Sequence, residues 1–236
     1  MFFAQAYFGL SLHIMNIVEN FNTLKNSIPE NVRIVAISKY KPATDIQTLY
    51  DGAQHVFFGE NKAQEMTQKH EILPKDIEWN FVGHLQTNKV KMIVPYVSLI
   101  QSIDSLKLLK EVNKEAAKCE RVIPCLLQLY IAKEETKFGF DEDEILAMVD
   151  STDFNTLQNI QVHGLMGMAT NTDNTLQVAA EFKTLRNFYE SLKTRYFSQN
   201  SEFSIVSMGM TEDYPIAIAE GSNLIRVGSG IFGSRY

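Results

Sequence analysis

Val32-Arg33-Ile34-Val35-Ala36-Ile37-Ser38-Lys39 is the first stretch of the chain that reads as a buried β-strand. It is rich in β-branched residues and ends on a lysine. Further short apolar stretches lie near 56–60, 79–84, 98–104, 123–132, 160–169, 203–209 and 224–232. Between them fall segments with helical spacing, at 43–52, 61–72, 88–96, 105–119, 141–150, 173–197 and about 211–220. Leu106, Leu109, Val112 and Ala116 share one face of the 105–119 segment, and Leu185, Phe188, Leu192 and Tyr196 repeat in the same way later. Ahead of the first strand, Ile17, Phe21, Leu24 and Ile28 mark an amphipathic helix. Eight strands alternating with helices predict an α/β chain folded as a (β/α)8 TIM barrel with an extra N-terminal helix. A doubly wound open sheet is the alternative.

The 236 residues are 45% hydrophobic and 21% charged, enough for one large domain with a sizeable core. The net charge of −6 argues against general nucleic-acid binding, which needs basic patches. No apolar run is long enough to cross a bilayer, so no membrane partner is expected. Cys119 and Cys125 form no metal or redox motif, and so few thiols suit a reducing, cytoplasmic compartment. Residues 1–14 are apolar and aromatic but lack Lys and Arg, which makes a poor secretory signal. They read as an upstream extension or loose arm, with a single barrel domain over 15–236.

Barrels of this kind place their site at the carboxyl ends of the strands. A lysine there, such as Lys39, can project into the mouth, where a partly desolvated amine can be less basic and can form a Schiff base. The last two strand ends carry Ser207 with Gly209, and Gly228-Ser229-Gly230. That is the usual phosphate location, because glycines let backbone N–H groups approach closely and hydroxyls add donors. Arg226 precedes Gly228 by two residues and shares its strand face, where a guanidinium can donate to a ring nitrogen. An amine, a phosphate cradle and a ring-nitrogen donor are what pyridoxal 5′-phosphate requires. The five histidines show no metal-ligand spacing, although His84 follows Gly83 at a strand end and could line the site.

Five segments together carry a family resemblance. They are Ala36-Ile37-Ser38-Lys39-Tyr40-Lys41-Pro42, Phe58-Gly59-Glu60-Asn61, Phe81-Val82-Gly83-His84-Leu85-Gln86-Thr87-Asn88-Lys89, Ser207-Met208-Gly209-Met210-Thr211-Glu212-Asp213 and Arg226-Val227-Gly228-Ser229-Gly230-Ile231-Phe232-Gly233. In this order and spacing the chain resembles the YggS/PROSC family of pyridoxal phosphate homeostasis proteins. The resemblance implies a fold like the N-terminal barrel of alanine racemase, with Lys39 holding the cofactor as an internal aldimine. It implies that Ser207, Gly228 and Ser229 bind the phosphate with Gly209 nearby, and that Arg226 faces the pyridine nitrogen. Asn61 then lies near the ring, with Met166 and Met208 close to the cofactor. The family often has proline where His84 stands.

Two functions compete. The first is a racemase-like enzyme of the fold-type III class, acting on amino acids. The second is a protein that buffers or delivers the cofactor without turnover. Racemisation needs a proton removed on one face and returned on the other, and Lys39 serves only one. Alanine racemases take their second base from a C-terminal domain of the partner subunit, and this chain ends at Tyr236, soon after the eighth strand. The carrier is therefore the expected function, with PLP-dependent apoenzymes as its partners and a monomer as its state.

Overall fold

The eight strands are parallel and close on one another in sequence order. They are β1 (Arg33–Ile37), β2 (Phe57–Glu60), β3 (Glu78–Phe81), β4 (Leu99–Ile103), β5 (Ile123–Gln128), β6 (Ile160–Met166), β7 (Ile205–Ser207) and β8 (Leu224–Val227). This computed structural model describes residues 16–133 and 138–233. Helix α1 covers 16–27 and buries Ile17, Phe21 and Leu24. The strands are joined by α2 (Ala43–Ala53), α3 (Ala63–Ile72), α4 (Val90–Ile93), α5 (Leu106–Lys118), α6 (Glu142–Val149), α7 (Thr152–Asn155), α8 (Thr175–Arg195) and α9 (Tyr214–Ala219). A last turn, α10 (Ser229–Phe232), follows β8. The barrel expected from the alternating pattern is thus the observed fold.

Strand alternation divides each strand between two cores. Ile34 and Ala36 of β1 pack outward against the helices, whereas Val35 and Ile37 point into the barrel with Leu99, Leu126, Met166, Ile205 and Leu224. Burying each such aliphatic side chain contributes about 1.5–3 kcal/mol. Gly59 keeps the interior from overfilling, because a Cβ there would lie 2.4 Å from Ile37 Cδ1 and 2.8 Å from Val35 Cγ1. The same parity carries the inward face upward from Val35 and Ile37 to Lys39, and from Leu224 and Arg226 to Gly228.

Several expected segments are shorter than read. The stretches 123–132, 160–169 and 224–232 end as strands at Gln128, Met166 and Val227. Ile231 and Phe232, apolar enough to extend a strand, instead bury one side of the α10 turn. The helix expected over 88–96 is a 3-10 turn at Thr87–Lys89 followed by α4. The extension read at 1–14 lies outside the described residues.

Candidate cofactor-binding site

A cavity of about 460 Å3 opens at the carboxyl ends of the strands. Lys39, Asn61, Arg226, Gly228 and Ser229 all line it. These five sequence-predicted residues come from three separated segments, and barrel closure through the β1–β8 pairing brings the first and last together.

Lys39 is half-buried and has no hydrogen-bond or ion-pair partner among the described residues. The turn that carries it is clamped from outside the barrel. Lys69 Nζ on α3 donates to the Ser38 carbonyl at 2.8 Å, to Glu60 Oε1 at 2.6 Å and to Glu65 Oε1 at 2.8 Å. Ser38 Oγ also donates to Glu60 Oε1, at 2.7 Å, and the Tyr40 N–H donates to Glu65 Oε1 at 2.7 Å. Tyr40 itself sits in the left-handed region at φ 62°, a strained place for a tyrosine that the Glu65 bond helps to hold. Burial pushes the Glu60 carboxyl above its usual value, while Lys69 and Ser38 pull it back. Lys41 also lines the cavity, but its Nζ donates to the Phe232 carbonyl at 2.9 Å.

Arg226 is the cation of the cavity floor and is 4% exposed. Its Nη1 donates to Ser207 Oγ at 2.6 Å and its Nη2 to the Gly167 carbonyl at 2.9 Å. Burial pushes the guanidinium down to about 10, with Asp213 opposing, so it stays charged at neutral pH. With two bonds spent on protein, it retains N–H donors for a ligand.

Thr211, which belongs to the quoted motifs but had no assigned role, also lines the cavity. Ser229 Oγ donates to Thr211 Oγ1 at 3.2 Å, and the Gly230 N–H approaches the same oxygen at 3.4 Å. Hydroxyls and glycine backbone from two strand ends thus converge on one corner. His84 and Phe138 also line the cavity and stack with centroids 4.0 Å apart and 15° between planes. His84 Nδ1 bonds Asp104 Oδ2 at 2.8 Å, and the Phe138 carbonyl accepts Gln128 Nε2 at 2.5 Å.

Four expected site residues do not reach the cavity wall. Met166 points inward but lies one layer below, in the barrel core. Met168, two residues on, takes the lining position. Met208 has the opposite parity and packs outward against the helices, while Met210 lines the cavity. Ser207 is fully buried beneath Arg226, and its hydroxyl is shared between that guanidinium and Gln101 Oε1 at 2.7 Å. Gly209, at φ +92°, turns the chain under α9, where a Cβ would lie 2.7 Å from Ala217 Cβ. Ser207 and Gly209 thus support Arg226, whose N–H donates to the Gly209 carbonyl at 3.0 Å.

Comparison with known proteins decides what this cavity belongs to. Residues 12–236 match the alanine racemase N-terminal domain family. A pyridoxal phosphate homeostasis protein of Haemophilus influenzae is 32% identical over 94% of this chain and 97% of its own. The chain belongs to the pyridoxal phosphate homeostasis family. PipY of Synechococcus elongatus, solved with PLP bound, superposes with a TM-score of 0.82 at 31% identity, covering 92% of this chain and 100% of PipY. Clostridium difficile alanine racemase shares the fold, with a TM-score of 0.71 at 13% identity, and this chain spans 56% of it. Family membership agrees with the motif resemblance, and the cavity fits the group in PipY. Among the described residues, Asn61 Oδ1 is buried there without a hydrogen-bond partner and the Lys39 amine has none. The buried cation and the Thr211–Ser229 corner supply what a ring nitrogen and a phosphate need.

Proposed function

We propose that the chain holds pyridoxal 5′-phosphate in this cavity and serves its homeostasis by storing and releasing it. The carrying observation is the unpartnered Lys39 amine, which shares one cavity with the buried Arg226 guanidinium and the Thr211–Ser229 corner. Bound pyridoxal phosphate supplies an aldehyde that a lysine amine captures covalently and reversibly. The clamp of Lys69, Glu60 and Glu65 aims the Lys39 turn. Arg226 donates toward the ring nitrogen and, as a cation, keeps that nitrogen unprotonated. The Asn61 amide meets the ring edge, and Thr211, Gly228 and Ser229 receive the phosphate. The His84–Phe138 stack shields one side from water.

The protein works as a carrier and not as an enzyme, in keeping with relatives named for homeostasis. Release to apoenzymes suits a half-buried lysine at an open mouth. Both cysteines are free, and no described helix is long and apolar enough to cross a membrane, which fits a cytoplasmic protein.

Thr211→Val tests the phosphate corner. Loss of a hydrogen bond to a charged group costs about 1.5–3 kcal/mol, so pyridoxal phosphate binds at least about tenfold more weakly. Pyridoxal, which lacks the phosphate, binds the variant and the wild type equally. Equal weakening of both ligands in a fluorescence titration removes Thr211 from the phosphate site.

A further inference from the structure

The barrel has a second mouth. At the amino-terminal ends of the strands lies a cavity of about 360 Å3. Arg33, Glu78 and Glu202 bring charge to its wall, and His163 brings an imidazole. The three charged side chains have no ion pair among the described residues; Arg33 rests over the Phe57 ring, 5.7 Å from its centroid. His163 Nε2 is buried with no hydrogen-bond partner among the described residues. Burial pushes this imidazole below its usual value, with Glu202 opposing and Arg33 adding, so it is neutral at pH 7. The three charged side chains are exposed and stay available to a ligand, and they surround a buried nitrogen that lacks a partner among the described residues.

The floor of this cavity is wired to the cofactor site. Asn80, 3% exposed, lies in its wall. Asn80 Oδ1 accepts Gln101 Nε2 at 2.9 Å, and Gln101 Oε1 accepts Ser207 Oγ at 2.7 Å. Arg226 Nη1 then donates to Ser207 Oγ, 2.6 Å away. Each member points into the barrel by strand parity, so one buried chain of hydrogen bonds runs from mouth to mouth. Such a chain is the physical connection through which a change at one end can bias the other.

We propose that this amino-terminal cavity is a second ligand site, for an α-amino acid with a cationic side chain, coupled to the cofactor site through that chain. Arg33 meets the carboxylate, and Glu78 and Glu202 meet the two ammonium groups. One positive and two negative wall charges are matched by the ligand's one carboxylate and two ammoniums. The binding claim stands independently of the cofactor, while the coupling claim rests on the proposed cofactor function.

Calorimetry on the full-length, cofactor-free protein tests binding with L-lysine as probe. One equivalent binds, Arg33→Ala and Glu202→Gln each weaken it at least tenfold, and L-glutamate gives no saturable heat. Absence of saturable heat with L-lysine, or binding unmoved by both substitutions, overturns the site. Coupling is read by repeating the titration on protein whose cofactor has been fixed by borohydride, which leaves no aldehyde to react with the probe. The L-lysine affinity then differs between the two forms by about fivefold or more, and Ser207→Ala erases the difference. Equal affinities in the two forms of wild-type protein overturn the coupling. Failure of borohydride to fix any cofactor refutes the cofactor reading and leaves the first titration standing.

Discussion

Lys39→Ala protein gains no visible chromophore on titration with pyridoxal phosphate, whereas wild type gains one in a one-to-one ratio. The loss is complete because the amine proposed to form the covalent link is gone. What remains is the phosphate corner and Arg226, so retention falls on the order of 100-fold, equivalent to about 2.7 kcal/mol. The control is Lys41→Ala. Lys41 stands in the same cavity wall, but its Nζ donates to the Phe232 carbonyl at 2.9 Å and is held away from capture. That variant keeps the chromophore. A chromophore surviving in Lys39→Ala would move the covalent role to another lysine.

Lys69→Met has the largest expected effect on stability. Lys69 and Glu60 have side chains only 7% and 0% exposed, and their bond is 2.6 Å long. Removing one partner of a buried pair leaves an uncompensated charge and costs roughly 3–5 kcal/mol. For a chain of this size that lowers the melting temperature on the order of 10 °C. The loss depends on pH in a defined direction. Burial already holds Glu60 above the usual 4.5, and without Lys69 it rises further. Between 4.5 and that raised value the folded state binds a proton that the unfolded state does not, so stability falls as pH rises. The variant therefore recovers part of its deficit between pH 7.5 and pH 5.5, measured by denaturant midpoints. Glu60→Gln added to Lys69→Met restores most of the loss by removing the stranded charge. A Lys69→Met deficit that stays constant over that range would mean that Glu60 is not the group left unpaired.

Much of this was legible in the chain because strand periodicity gives both fold and parity. Val35, Ile37 and Lys39 share one phase, as do Leu224, Arg226 and Gly228, so the inward residues of β1 and β8 could be read directly. Motif reading was less discriminating at Ser207-Met208-Gly209-Met210-Thr211. It assigns Ser207, Met208 and Gly209 to the site, whereas alternation and depth send Met208 outward, bury Ser207 below and leave Met210 and Thr211 on the wall. In the same way Met166 lies one layer down in the barrel core and Met168 lines the cavity. Phe138 gave no local signal, because it reaches the mouth through a bridge between Leu129 and Phe140 beside the end of β5. The clamp on Lys39 was equally hidden. Glu60 ends a strand and Lys69 lies in the following helix, so no single periodicity places them together.

Borohydride reduction of the protein loaded with pyridoxal phosphate, followed by peptide mass mapping, tests the central claim most directly. The expected result is a single phosphopyridoxyl group, carried on Lys39. A group on Lys41 or any other lysine, or no fixed group after loading, would contradict it.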